Sequence, residues 1–565
     1  MNTPETGESD SVLTERDLMK AQLAQQTEED QKKYLQADTA PIEEGDSKKT
    51  DNNKGQQLVV LSKNQLEDTS FTTPRISFEK NDVIFEADYV MKALYDNEEG
   101  DARLLIHLFK GKLCYDKCSE KWYVWDRHHW KKDALDEALA AVDEVVNVYR
   151  ALALEKFEGY IKVAEAGSYP RIEKEVVKLI FKKIVALQSL QRKKNVLKLA
   201  ASGQGSLGIE GHQWDSNPML LGVENGVVDL RTGKLSPGKP EDYIRSYAPT
   251  EWKGNKEPPA RWLFFLDQLF GKNREIIAYV QRLLGYALRG DAIEHIFIIC
   301  WGTGRNGKTT LFNIIASVLG LLASPVKSEI ILWQGRNRSS AGADPDLMSL
   351  RGLRIAWCSE IEKGRSLSAS RLKKLCGGDP IEARALYSEE ITFKPSHTLF
   401  LLTNYKPKAD ASDYALWERI HLLPFQERFI DNPSEDNLHE HLRNPYMQDE
   451  LKAEASEILA WMVRGHLEFQ KKGLCPPPEV IEASEDYKKE EDTIGQFVEE
   501  FCDTGPSESI QAGLFQSAYR GWCADSNCKT RSKNEVADWL LKHGFERDDS
   551  KRYRMYLGIT FKPED

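Results

Sequence analysis

The sequence predicts an open α/β fold organised around a phosphate-binding loop, and three stretches predict it. The first is Phe297–Thr310, FIICWGTGRNGKTT, followed by LFNIIASVLG. An apolar, β-branched run breaks into a glycine-rich loop and resumes with helical spacing. That is the pattern G-x-x-x-x-G-K-[ST] in its required setting of strand, loop and helix. The second is the apolar strand LRIAWCSEIE, closing on Glu360 and Glu362. The third is TLFLLTN, closing on Asn404.

In the loop, Gly302, Gly304 and Gly307 let backbone N–H groups approach and surround phosphate oxygens. The cradle is read as Gly302, Thr303, Gly304, Arg305, Asn306, Gly307, Lys308, Thr309 and Thr310. Lys308 reaches the β- and γ-phosphates, Thr309 offers its hydroxyl to Mg²⁺, and the following helix directs its positive end at the anion. ATP and Mg²⁺ are therefore the expected cofactors. Such a site also needs an acidic partner for the metal and the attacking water. Glu360 and Glu362 stand at i and i+2, which on a strand places both on one side at its C-terminal end, where ligands bind in open α/β sheets. Glu360 is the candidate metal or water-activating carboxylate, with Glu362 sharing the role. Exposed glutamates after a strand are the plainer alternative. Asn404 can hold the attacking water or sense the γ-phosphate. In LWERIHLLPF, Arg419 follows an aromatic-apolar turn, and at a subunit edge it would serve as an arginine finger in trans.

The rest of the chain frames this core. At 565 residues it allows roughly three or four domains. Residues 1–75 are polar, with few aromatics, and read as a disordered tail. Residues 85–255 read as mostly helical. Within them KWYVWDRHHWKKD alternates as a short hairpin does, and Trp122, Trp125 and Trp130 form either an aromatic core or a base-stacking surface. The basic set Lys178, Lys182, Lys183, Arg192, Lys193 and Lys194 reads as a solvated face or a DNA-contacting one. Asn225-Gly226 and Thr232-Gly233 mark turns around VVDL. The core is placed at 260–430, a helical linker at 431–493 and a last domain at 494–565, ending in an apolar strand pair, YRMYLGITF. In that domain Arg531, Lys533 and Arg552 are candidate phosphate contacts. The nine cysteines are scattered, as in a reducing cytosol. Cys114 and Cys118 near His107, His128 and His129 fit no standard zinc spacing. No apolar run reaches about 18 residues, so neither a membrane span nor a membrane partner is expected, and the expected location is cytoplasmic. A net charge of −12 neither favours nor excludes DNA, because a ring or cleft can carry a local positive lining on an acidic body.

The ordered set GTGRNGKTT, SEIEKGRSLS, LKKLCGGDPIEARALY, FKPSHTLFLLTNYKPK and DYALWERIHLLPF resembles superfamily 3 helicases, in the group of phage and plasmid primase–helicases that share this core with the poxvirus primase–helicase. ENGVVDLRTGKL and the sequence after IGQFVEEF resemble the regions flanking that core. The resemblance implies an AAA+-like P-loop NTPase core, a helical N-terminal or collar domain and a winged-helix-like C-terminal domain. Gly302, Gly307, Lys308 and Thr309 match its Walker A positions, Glu360 and Glu362 its Walker B pair, Asn404 its sensor and Arg419 its arginine finger. The stretch from Gly377 to Lys394 matches a hairpin facing the ring channel, which makes Lys373, Lys374, Arg384 and Lys394 candidate DNA contacts. Relatives often carry an N-terminal primase domain; residues 1–75 supply nothing of that size, and no D-x-D metal pair stands in a strand context ahead of the core.

The expectation is an ATP-dependent DNA helicase or translocase of a phage, plasmid or mobile element. It would act as a homo-hexamer on a single strand in a central channel, with duplex origin DNA on the C-terminal domain and a separate primase or polymerase as partner. The alternatives are a DNA-stimulated ATPase that loads or remodels replication proteins, and an origin-binding scaffold.

Overall fold

The computed structural model describes residues 75–78, 83–165, 171–254, 258–335, 345–384, 390–434, 436–526, 528–550 and 553–563. The tail expected at 1–75 lies outside them except for Arg75, which begins a short strand.

The centre of the protein is a five-stranded sheet of β1 (Phe297–Trp301), β2 (Ala323–Val326), β3 (Ile355–Ser359), β4 (Thr398–Thr403) and β5 (Ile420–Pro424). Its order is β2-β3-β4-β1-β5, and every neighbouring pair is parallel. A parallel sheet is covered on both faces, which explains why β1, β3 and β4 read as nearly continuous apolar runs. Alternate residues go to two cores. Ile298, Cys300, Ile355, Trp357, Phe400 and Leu402 join one, while Phe297, Ile299, Ala356, Cys358, Leu399 and Leu401 join the other.

Six helices matter to the site: α1 (Ala260–Leu269), α2 (Arg274–Tyr286), α3 (Lys308–Leu319), α4 (Ala369–Cys376), α5 (Ala455–Lys472) and α6 (Pro478–Glu491). From Met447 onward the stretch 431–493, expected as a linker, packs into the core instead. Ile458, Leu459, Trp461, Met462 and Val463 of α5 are buried with α1, α2 and α3, and Tyr487 of α6 is buried beneath the other face. Helices α2 and α5 cross with their backbones almost touching: a Cβ on Gly285 would lie 2.1 Å from the His466 nitrogen, and one on Gly465 would lie 2.0 Å from the Gln281 carbonyl. We expect Gly465→Ala to force the helices apart and lower stability by about 3 kcal/mol or more. Chemical denaturation measures this, and an unchanged midpoint would contradict the close crossing.

The segment expected as mostly helical over 85–255 is two structures. Residues 85–207 bury their own core, with helices Ala87–Tyr95, Asn97–Phe109, Glu137–Glu165, Arg171–Leu187 and Leu190–Ala200 packed beside a small sheet. The strands Lys121–Asp126 and His129–Lys132 form the expected hairpin. Trp130 is buried with Tyr123 and Trp214, Trp125 meets its edge, and Trp122 packs against the helical core, so these rings build the interior. Cys114 belongs to that interior too, and burial pushes its thiol up to about 12. Among the described residues no group of three or more His, Cys, Asp or Glu side chains is arranged to hold a metal.

The second half is a four-stranded sheet over 220–248 that shares the central core through Leu221, Val223, Val228 and Ala248. Buried Arg354, just before β3, fastens it by donating to the Pro218 and Leu220 carbonyls, both at 3.1 Å. Of the basic set, Lys183 and Arg192 are spent on the fully buried Asp101, at 3.2 and 2.6 Å, and Lys193 pairs with Asp143. They hold helices together and do not form a free basic face.

Residues 493–561 have a separate core of helices Thr493–Phe501, Ala512–Asp525 and Lys533–Lys542 on a three-stranded antiparallel sheet. The expected apolar strand pair is one strand, Met555–Phe561, lying between Cys502–Gln511 and Glu546–Asp548. Arg552 lies outside the described residues. No helix among those described is long and apolar enough to cross a membrane.

Candidate nucleotide-binding site

The loop leaves the C-terminal end of β1 and enters α3. Gly304, Arg305 and Gly307 have φ of +100°, +51° and +75°, so successive left-handed residues curl the backbone into a concave nest of N–H groups. Gly302 admits no side chain, because a Cβ there would lie 2.3 Å from the Phe425 carbonyl. Gly307 precedes α3 without a side-chain cap, which leaves first-turn N–H groups available to an anion.

Lys308 is buried inside this curl. Its ammonium donates to the Gly302 carbonyl and the Asn306 Oδ1, both at 2.9 Å, and to Asn404 Oδ1 at 3.3 Å. All three partners are neutral, and burial lowers its pKa to about 8. A buried ammonium facing only dipoles is poised to gain from an arriving anion. Asn306 is itself buried and donates to the Phe425 carbonyl at 3.4 Å, which joins the loop to the segment leaving β5. Thr303, Arg305 and Thr309 are exposed, and Thr310 is half-buried.

Glu360 and Glu362 are exposed at the same end of the sheet. They are not two alternate residues of a strand, however. Strand β3 stops at Ser359, and Glu360 has φ +55° with its N–H bonded to the Leu402 carbonyl at 3.3 Å. The same-side expectation from strand periodicity therefore does not hold, and Glu360 is aimed by a left-handed turn whose strain its neighbours maintain. Ile361, buried between the two, anchors that turn. Asn404 follows the end of β4 immediately, and the bond to Lys308 links two of the predicted site residues directly.

Arg419 stands at the other end. It directly precedes β5, and its carbonyl accepts from the Phe297 N–H at the start of β1. With Phe297 beside Ile420 and Trp301 beside Pro424, four residue steps, about 13 Å, of strand separate Arg419 from its own loop. Its guanidinium donates to the Ala415 carbonyl at 2.6 Å. Lys373 is an internal brace: it pairs with Asp413 at 2.9 Å, and Asp413 caps the turn Tyr414–Trp417 that leads to Arg419. Lys374 is exposed at the end of α4. Strands Ile381–Arg384 and Glu390–Phe393 form the expected hairpin, whose tip, 385–389, lies outside the described residues. Arg384 is exposed toward the tip, and Lys394 is exposed just past the second strand.

Sequence reasoning missed Glu427, His439 and His441, which meet beside the loop. The carboxylate is buried, and each oxygen has one imidazole partner, at 2.9 and 2.7 Å. The spacing His-x-His opposite a lone Glu is the only sequence signal, and it lies in a polar stretch.

A match to the family described as D5 N terminal like covers residues 102–271. It runs through the small sheet into α1, across the boundary expected near 255–260. The chain is 30% identical over 298 residues to the protein named "Putative helicase L207/L206" of Acanthamoeba polyphaga mimivirus, covering 51% of this chain and 31% of that protein. It is 28% identical over 354 residues to "Putative primase C962R" of African swine fever virus, covering 59% of this chain and 36% of that protein. The chain thus spans about a third of the length of these curated relatives. The solved apo C-terminal region of NrS-1 is similar at 12% identity over 82% of this chain and 99% of that one, with a TM-score of 0.43. The chain thus carries a D5 N terminal like segment ahead of the loop and is similar, over part of their length, to proteins of large DNA viruses named as putative helicases and primases.

Proposed function

We propose that the chain is an ATP-driven DNA translocase of the superfamily 3 type, working as a homo-hexameric ring. The observation that carries this is the buried Lys308 ammonium, held by neutral oxygens in a left-handed nest and touching Asn404 from the adjacent strand. Residues and ligand fit: the uncapped helix start and nest suit phosphates, and Thr309 with Glu360 would hold Mg²⁺, which would neutralise phosphate charge. Lys308 and the loop N–H groups bind and orient the phosphates. Glu360, with Glu362, accepts a proton from the attacking water, and Asn404 orients that water. Arg419 cannot serve its own loop across the sheet, so it serves the site of the next subunit.

Lys374, Arg384 and Lys394 are read as channel contacts to one DNA strand, while Lys373 braces the turn that leads to Arg419. The three-helix, three-stranded C-terminal unit is read as winged-helix-like and suited to duplex origin DNA. The names of the relatives support a replicative role, in which a primase or polymerase is the partner.

Displacement of one strand from a forked DNA, with ATP and Mg²⁺, tests this reading. Displacement should occur, should fall steeply as salt rises, and should depend little on sequence, because the grip rests on phosphate contacts. ATP hydrolysis stimulated by DNA without displacement would favour the remodelling ATPase instead. Absence of nucleotide binding would end the reading.

A further inference from the structure

Downstream of β5 the chain forms a small ribbon in which Arg428–Ile430 pairs with Glu440–Leu442. Glu427 lies at its root. Its side chain is only 6% exposed, and a buried carboxylate is costly unless both oxygens are satisfied. Here they are: His439 Nδ1 donates to Oε1 at 2.9 Å, and His441 Nε2 donates to Oε2 at 2.7 Å. An ionised carboxylate offers only acceptors, so both imidazole nitrogens must carry the proton. The loop between α1 and α2 leaves room for this group, since a Cβ on Gly271 would fall 2.8 Å from Oε1.

The ribbon is fastened to the phosphate loop at two points. The Phe429 N–H donates to the Arg305 carbonyl at 2.7 Å, and the Phe429 ring lies 3.3 Å from where a Cβ on Gly307 would be. The His441 ring in turn packs on Phe429, with centroids 5.5 Å apart. Arg305 and Gly307 are two of the left-handed residues that shape the nest. A chain of contacts therefore runs from Glu427 through His441 and Phe429 to the curvature of the loop.

We propose that Glu427, clamped by His439 and His441, is a positioning residue for the phosphate loop: it locks the paired strands Arg428–Ile430 and Glu440–Leu442 so that Phe429 holds Arg305 and Gly307 in their phosphate-binding conformation. This rests on the nucleotide-binding reading of the loop and adds the element that pre-shapes it. A distorted nest loses affinity for the nucleotide in ground and transition states alike, so the defect falls on binding more than on turnover.

The test measures binding of a fluorescent ATP analogue and steady-state hydrolysis by the full chain. Glu427→Ala should weaken nucleotide binding and raise KM by about tenfold or more while kcat changes less than about threefold, consistent with loss of charge-assisted hydrogen bonds. The double variant His439→Ala with His441→Ala should do the same. The replacement His439→Asn with His441→Gln, whose amides can donate from the positions of Nδ1 and Nε2, should recover most of the loss. If Glu427→Ala does not fold, the histidine pairs carry the test. Unchanged affinity in the folded histidine double alanine, or no recovery in the Asn/Gln pair, would overturn the inference. A wild-type chain that binds no nucleotide would instead overturn the site itself, so the two failures are distinguishable.

Discussion

Lys308→Ala abolishes ATP hydrolysis and, with it, strand displacement. The ammonium is the only cation buried inside the loop among the described residues, and its three partners are neutral oxygens. Removing a preorganised donor of this kind costs roughly 10²- to 10³-fold or more in turnover. Its effect on stability runs the other way. Burial lowers the Lys308 pKa from 10.5 to about 8, so between those values the unfolded chain binds more protons than the folded one. Wild-type stability should therefore rise with pH through that window, and the alanine variant should lack that rise. A folded Lys308→Ala chain with wild-type hydrolysis would contradict the assignment of the loop.

Arg419→Ala keeps nucleotide binding and loses hydrolysis by roughly 10³-fold or more, the range for an arginine finger. The residue lies at the start of β5, while the loop lies at the end of β1, and those strands are parallel neighbours. No side-chain rearrangement brings Arg419 to its own loop across the length of the sheet. Its turn is nevertheless braced, by the Lys373–Asp413 pair and by the Asp413 cap. A braced arginine at the sheet edge, remote from its own site, suits action on a neighbour. Binding of a nucleotide analogue and hydrolysis, measured on the same preparation, separate the two effects. Normal hydrolysis would remove Arg419 from the mechanism.

The loop was legible in the sequence because its geometry is set locally: glycines license left-handed backbone, and the flanking apolar runs could only be a buried strand and a helix. The strands β3 and β4 were legible for the same reason, as uninterrupted apolar segments of a sheet covered on both faces. The direction of Glu360 was not, because a single left-handed residue breaks the period-two rule and nothing but the packing of Ile361 and the Leu402 carbonyl reveals it. Helix α5 looked like linker because its partner, α2, lies about 180 positions earlier, and their close crossing at Gly285 and Gly465 is set by tertiary packing. Lys183 and Arg192 looked like surface charge because Asp101, which binds both, stands about 80 to 90 positions earlier. Glu427 and its histidines escaped notice because each is an ordinary polar residue until the ribbon brings them together.

The central claim is that one catalytic site is built from two subunits: Lys308 from one and Arg419 from the next. Co-expressing Lys308→Ala and Arg419→Ala chains, purifying the mixed assembly and measuring ATP hydrolysis tests it most directly. In a randomly mixed ring of head-to-tail interfaces, about a quarter of the sites pair an intact loop with an intact arginine. Two separately inactive chains should regain hydrolysis when mixed; mixed assemblies as inactive as either variant alone would rule out a shared site.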